Sequence, residues 1–562
     1  MRVRSPFCRA TLTGLAVAML STPIVTTAQR PDAALRARID SVFAPYDQPS
    51  TPGCALGVLD AGRVAYARGY GLASIEHAVP LNAETVLDIG SVSKQFTSAA
   101  ILLLAQDGRL SLDDDIRRHL PELPDYGTRL TIRQLLQHTS GLRDYTDLMA
   151  LAGHQTEDYT TVRQAFDVVI RARTLNFAPG TAWRYSNTGY FLLSIVIERA
   201  TGMSIRKFAE QRLFAPLGMT SSFYFDDHAE VVPRRAAAYS RRDSGGFRVD
   251  MSDWEQLGDG GVQTTVTDLA KWDEAFYSGK VLGRALIDLM TTPGALTDGA
   301  PHEYGLGLRM DHWRGLARVS HGGAWGGYRA MLMRFPTKHV SVALLCNRGD
   351  ANTGTLAERV ASVWLGDALA PLPEIVQGAE SSRSADIALD TGVYINEFEG
   401  LVRYVSAGPH GLVFGTRSGA GGQAVYAVAG RFRLTSGATL AFDRTQRTLT
   451  IETSSLGPRP VVLDRLDARH RAPAPLGPYA GRYYSDEADV TYRVAVKGSS
   501  LVWNLPEWPA LVLEPVALDL FRGGGMLLRF ERDASGGVTG LRVTDRGMVR
   551  LPFRRVAAAP SD

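Results

Sequence analysis

At 562 residues the chain exceeds what one hydrophobic core serves, because single cores stop growing at about 250–300 residues, so more than one domain is expected. Its composition, 45% apolar and 21% charged with no low-complexity tract, is that of an ordinary globular protein. A formal charge of +3 with no block of like charge offers nucleic acid no footing as a partner.

The N-terminus reads as an export signal. Arg2, Arg4 and Arg9 precede an apolar stretch over residues 12–20, and Thr26-Thr-Ala28 then offers small residues for cleavage. The apolar stretch is too short for a membrane span, and Cys8 lies on the wrong side of it for lipid attachment. A signal peptide over residues 1–28 and a soluble periplasmic or secreted product are expected. Cleavage leaves Cys54 and Cys346, too few for a disulfide framework. Each sits in a strand-like run, which favours two buried thiols; a single bridge joining the two ends of one sheet is the alternative.

Leu35, Ile39, Val42 and Phe43 recur at helical spacing. A hairpin follows, from residues 54–59 through an Asp60-Ala-Gly62 turn to residues 63–68. Next comes Asp88-Ile-Gly-Ser-Val-Ser-Lys-Gln-Phe-Thr-Ser98 and an apolar run that closes at Asp107-Gly108, a helix with Ser91 in its first turn. Lys94 is three residues on, so its amine can reach the Ser91 oxygen from the same helix face. A hydroxyl, a nearby amine and the positive end of a helix suit acyl transfer by serine. The pattern is not unique, because Ser204-Ile-Arg-Lys207 also opens a helix.

Another helix is expected from Thr131, with Leu135-Leu-Gln-His-Thr-Ser-Gly-Leu142 at its end and Gly141 as its stop. Gly258-Asp-Gly-Gly261 makes a turn into a capped helix reaching Trp272, and Asp113-Asp-Asp115 reads as a solvated helix start. Residues 328–335 and 340–346 read as adjacent strands, and a last helix ends near Trp364. Strands from both ends and helices from the middle imply an α+β domain over residues 33–365, an antiparallel sheet with helices packed on it. A linker over residues 366–387 leads to a tail of short alternating runs. Thr391-Gly-Val-Tyr394 returns as Ala480-Gly-Arg-Tyr483, 89 residues on, and Leu440-Ala-Phe-Asp443 as Leu528-Arg-Phe-Glu531, 88 residues on. Two features at nearly one offset predict duplicated antiparallel β-barrel-like domains at 388–470 and 475–558.

Ser91-Val-Ser-Lys94, the Leu135–Leu142 stretch, Tyr185-Ser-Asn187 within a Pro- and Gly-bounded loop, and His321-Gly-Gly323 lie in one order and spacing. Together they make residues 33–365 similar to the class C β-lactamase and penicillin-binding-protein-like serine hydrolases. That family includes D-aminopeptidases, D-alanyl-D-alanine carboxypeptidases and esterases. The β tail resembles the two barrels of the D-aminopeptidase branch. Tyr-x-Asn recurs at Tyr394-Ile-Asn396, where a turn is the natural reading.

The resemblance implies a two-step acyl transfer with Ser91 as nucleophile and Lys94 or Tyr185 as base. It implies Asn187 as a holder of Lys94 and of the substrate amide, and the backbone N–H groups of Ser91 and Ala324 as oxyanion donors beside Gly323. His321 departs from the lysine that most β-lactamases and penicillin-binding proteins carry. An imidazole titrating near about 6.5 is largely neutral above that pH, which points to substrates less reliant on a free carboxylate. The expected partner is a small peptide, amide or ester, with cell-wall-derived ones among the candidates. The alternatives are an esterase or β-lactamase of the same family, or a non-catalytic muropeptide-binding protein. Neither His-Glu-x-x-His nor a Cys/His cluster occurs, so no metal or other cofactor is expected.

Overall fold

The computed structural model describes residues 31–371 and 389–557, apart from short stretches at 409–410, 417–420, 429–430, 435–437, 453–458, 468–474 and 505–508. The expected signal peptide and most of the expected linker lie outside the described residues.

The first barrel-free half is built on a six-stranded antiparallel sheet. Its order is Arg309–Trp313, Leu316–Trp325, Tyr328–Phe335, Val340–Cys346, Cys54–Asp60 and Arg63–Tyr70. The opening hairpin turns at Ala61 and Gly62, both left-handed at φ 48° and 76°, the geometry that matches strand twist in a tight hairpin. Alternate side chains of Cys54–Asp60 serve two cores. Leu56 and Val58 pack with Phe43 of the helix Ala33–Phe43 and with Trp364 of the helix Thr353–Leu365. The opposite face is so close to the helix Val266–Ser278 that a Cβ on Gly57 would lie 2.4 Å from Val266 Cγ1.

Sheet closure corrects the reading of the cysteines. Strand Val340–Cys346 runs antiparallel to Cys54–Asp60 with Cys346 directly opposite Cys54, and the two sulfurs are bonded at 2.04 Å. Two buried thiols in facing register are within bonding reach, whereas 292 residues of sequence separation conceal the pairing.

The nucleophile helix, Lys94–Gln106, is the hub of the helical layer; every residue from Lys94 to Leu104 is buried. An apolar run on all sides of a helix demands such a setting. The next expected helix is shorter than its pattern. Thr131 and Gln134 form a reciprocal capping box, but the helix Ile132–Leu136 stops well before Gly141. His138 then turns left-handed at φ 59°, which leads the chain out of the helix and under the Tyr185 ring. Asp115 caps the short 3-10 turn Ile116–Arg118. Ser204 caps Ile205–Ala209 by accepting from the Lys207 N–H, so the second Ser-x-x-Lys is a helix start.

The tail forms two closed eight-stranded barrels. Their repeat is structural as well as sequential: the first strands are Gly392–Asn396 and Gly481–Ser485, the sixth Thr439–Asp443 and Met526–Arg532. In each barrel the repeated tyrosine donates four residues back, Tyr394 to the Asp390 carbonyl at 2.9 Å and Tyr483 to the Tyr479 carbonyl at 2.7 Å. The Asn of Tyr394-Ile-Asn396 accepts from the Glu399 N–H, as its turn reading requires.

Candidate active site

Ser91 sits in a 3-10 turn, Gly90–Ser93, that runs directly into the nucleophile helix. Gly90 is left-handed at φ 49°, and the turn is pinned from behind. The Gly90 N–H donates to Asp88 Oδ1 at 2.6 Å, and Gln263 Nε2 donates to Asp88 Oδ2 at 2.9 Å. Burial pushes the Asp88 carboxyl up to about 6, against the pull of the Gly90 N–H and Arg235.

Lys94 follows with its side chain wholly buried. Its ammonium donates to Ser91 Oγ at 3.0 Å, Asn187 Oδ1 at 2.9 Å and the Asp259 carbonyl at 2.7 Å. Three acceptors for three N–H bonds fix the amine without a carboxylate in contact. Burial pulls its pKa down to about 8, while the charges of Asp259 and Asp144 hold it from falling further.

Tyr185 and Asn187 arrive on the chain that leads into the helix Asn187–Thr201. That entry is held by the Asn187 N–H donating to Asp144 Oδ2 at 2.5 Å and the Ser186 N–H donating to His138 Nδ1 at 3.2 Å. The Lys94 Nζ lies 4.9 Å from the Tyr185 ring centroid. The phenol faces Ser91, and burial pushes its pKa far above the usual value against the pull of the Ser91 hydroxyl. Of the two candidate bases, therefore, Lys94 is the one whose proton affinity is lowered, and that of Tyr185 is raised.

His321 is buried, at 8% exposed. Its Nδ1 lies 2.6 Å from the Gly322 carbonyl, which can only accept, so Nδ1 carries the proton. Nε2 then accepts from the Tyr304 hydroxyl at 2.8 Å. Burial, reinforced by the nearby Lys94 charge, takes the imidazole down to about 3, so it is neutral at physiological pH.

The edge of the sheet completes the array. A Cβ on Gly90 would lie 2.6 Å from Ala324 N, and one on Gly323 would lie 1.9 Å from the Ile89 carbonyl oxygen and 3.2 Å from Ser91 N. Only glycines let the strand Leu316–Trp325 come this near the Ser91 turn, and the approach brings the Ser91 and Ala324 amides side by side. A cleft of about 790 Å³ opens onto the site, and its lining includes Ser91, Tyr185, Tyr304, His321, Gly323 and Ala324. A larger cavity, about 1130 Å³, borders the first barrel and contains none of them.

Five further residues stand behind the expected set: His138, Asp144, Tyr145, Asp259 and Tyr304. The His138 ring lies 4.3 Å from Tyr185 and 4.5 Å from Tyr304, centroid to centroid, tilted against both. Two lie in stretches that stand out in the sequence, His138 in the Leu135–Leu142 motif and Asp259 in the Gly258–Gly261 turn. The site can thus present a hydroxyl to an amine of lowered proton affinity, a protonated phenol beside them, and paired amide donors for a developing oxyanion.

A β-lactamase family model matches residues 39–363. The chain is 28% identical over 525 residues to the D-aminopeptidase of Cereibacter sphaeroides, covering 90% of this chain and 96% of that one. It is 27% identical over 525 residues to the D-aminopeptidase of Brucella anthropi, covering 90% and 95%. Among solved structures, the octameric penicillin-binding protein homologue from Pyrococcus abyssi shares the fold, with a TM-score of 0.56 at 23% identity over 77% of this chain and 99% of that one. With motif order, fold and family match in agreement, the chain belongs to the β-lactamase family and is a serine hydrolase of it.

Proposed function

We propose that this protein is an exported peptidase that cleaves amide bonds through a Ser91 acyl-enzyme, with D-amino-acid-bearing peptides or amides as substrates. The observation that carries the reading is the Lys94 amine 3.0 Å from Ser91 Oγ in a site that lowers its proton affinity. Similarity to D-aminopeptidases across nearly the whole chain, barrels included, supports the substrate class. The neutral His321 supports it too, because it offers no permanent cation to a terminal carboxylate. That weighs toward an aminopeptidase over a D-alanyl-D-alanine carboxypeptidase. The sequence signal at residues 1–28 and the Cys54–Cys346 bridge both suit an oxidising compartment outside the cytoplasm.

In this mechanism neutral Lys94 takes the Ser91 proton as Oγ bonds to the substrate carbonyl carbon. The oxyanion is met by the Ser91 and Ala324 N–H groups, and Asn187 steadies Lys94. The tetrahedral species collapses as Lys94 and the Tyr185 hydroxyl return a proton to the leaving nitrogen. The freed amine departs, Lys94 takes a proton from water as it attacks the ester, and Lys94 returns that proton to Ser91 Oγ as the acyl–oxygen bond breaks.

Rates on D-alanyl p-nitroanilide, its L enantiomer, a short-chain ester and a chromogenic cephalosporin test the proposal. The highest kcat/KM is expected on the D-anilide. A clear preference for the ester or the cephalosporin would replace it with the esterase or β-lactamase reading. His321→Lys is expected to raise kcat/KM on carboxylate-bearing relative to amide-ended substrates by about tenfold, as one added charge-assisted contact would. An unchanged ratio would mean that His321 does not set this preference.

A further inference from the structure

The Gly258–Gly261 turn touches the nucleophile helix twice. The Asp259 carbonyl accepts from Lys94 Nζ at 2.7 Å, and the Gly258 carbonyl accepts from Thr97 Oγ1 at 2.6 Å. The Asp259 carboxylate is buried as well. Its Oδ2 accepts from the Tyr145 hydroxyl at 3.1 Å, and its Oδ1 has no hydrogen-bond partner. A buried carboxylate with one neutral donor is poorly compensated, and so is a buried ammonium with only neutral acceptors. Each is the counter-charge the other lacks, although the two do not touch.

We propose that Asp259 is a positioning residue for the Lys94 proton: its buried carboxylate, tied to Tyr145 and held off the ammonium, sets the pH at which Lys94 becomes free to accept the Ser91 proton. The inference rests on the reading of Lys94 as the base. A direct ion pair would lock the proton on the amine, whereas no anion at all would strip it away. A carboxylate acting from a short distance leaves the amine poised between the two.

Of the other groups facing the pair, Asp144 shares this part with Asp259, and Tyr190, its ring centroid 5.5 Å from Lys94 Nζ, is kept protonated by burial. His138 and His321 are driven neutral by burial and by the Lys94 charge, and burial keeps Tyr145, Tyr185 and Tyr224 protonated. Asp144 is the second anion, and its oxygens are already committed. Its Oδ1 accepts from the Thr146 N–H and hydroxyl, and its Oδ2 from the Asn187 N–H. Burial raises the Asp259 carboxyl to about 7 against the pull of Lys94, which places both members of the pair in the neutral range.

The test is the rate of Ser91 labelling by an alkyl fluorophosphonate as a function of pH. In that reaction the Oγ–P bond forms, the P–F bond breaks, fluoride departs and the serine proton passes to Lys94. Asp259→Asn is expected to move the midpoint of the rise down by about one pH unit. Asp259→Glu should return the midpoint toward wild type. Tyr145→Phe, by removing the hydroxyl that donates to the carboxylate, should move it in the same downward direction by less. An unmoved midpoint in a folded Asp259→Asn variant overturns the proposal, as does an equal loss at every pH, the mark of a purely structural part. If Asp259→Asn does not fold, an unmoved Tyr145→Phe midpoint overturns it instead. Labelling needs no D-amino-acid substrate, so failure on the D-anilide alone leaves this result standing. A wild-type protein that takes no label overturns the serine mechanism and this proposal together.

Discussion

Lys94 donates to a hydroxyl, an amide oxygen and a carbonyl, and none of them carries a charge. Its pKa is therefore set by burial against two carboxylates at a distance, and the amine titrates at about 8, not at the ordinary 10.5. The active form is the neutral amine, so kcat/KM should climb about tenfold per pH unit below 8 and level off above it. A flat profile from pH 6 to 9 would remove Lys94 as the base. The stability sign is the same. The folded protein binds this proton more weakly than the unfolded chain, so the charged amine destabilises the fold at and below pH 8. That penalty fades as pH rises from 8 toward the unfolded value. Ser91, Lys94, Tyr185 and Asn187 were legible because acyl transfer demands those residue types in a recognisable order. Asp259 and Tyr304 were not. Asp259 meets Lys94 and Tyr145, 165 and 114 residues away, and Tyr304 meets His321, 17 residues away. Only folding reveals such pairs.

Two close approaches of backbone make the site out of separate elements. Gly323 lets the strand Leu316–Trp325 lie against the Ile89 carbonyl, and Gly90 lets the Ser91 turn lie against Ala324. Gly323→Ala has to push the strand away, taking the Ala324 N–H out of reach of the oxyanion. Loss of one such donor lowers kcat by about a hundred- to a thousandfold. A Gly323→Ala protein that keeps kcat within threefold of wild type (about 0.7 kcal/mol) would contradict this use of the strand. Strands with alternating or continuous apolar runs, such as Tyr328–Phe335 and Val340–Cys346, were legible to the residue because buried strands must read that way. The end of the helix Ile132–Leu136 was not, because tertiary demand on His138 stops it before its own stop signal is reached.

The second barrel is part of the back wall of the site, not a remote appendage. Its Gly547 carbonyl accepts from the Asp144 N–H at 3.0 Å, and Arg143 forms a buried ion pair with Glu487 at 2.6 Å. Arg184, next to Tyr185, donates to the Arg546 carbonyl of the second barrel and to the Phe398 carbonyl and Glu399 carboxylate of the first. Both barrels thus grip the segments that present Asn187 and Tyr185. Glu487→Ala would leave the Arg143 guanidinium buried without its counter-charge, a change that typically costs about 3–5 kcal/mol. The urea midpoint should fall accordingly; an unchanged midpoint would show that the barrel is not coupled to the catalytic half through this pair. The duplication was visible in the sequence at an 88–89-residue offset, but the direction in which the barrels face was not, because it depends on pairs more than 300 residues apart such as Thr174 and Glu487.

The central claim is that Ser91 is the one hydroxyl this fold makes reactive. Intact mass and peptide mapping after exposure to a fluorophosphonate test it most directly. One adduct on the Ser91 peptide is expected in the wild-type protein and none in Ser91→Ala, whose turnover should also vanish. An adduct on Ser204, or undiminished turnover by Ser91→Ala, would contradict it.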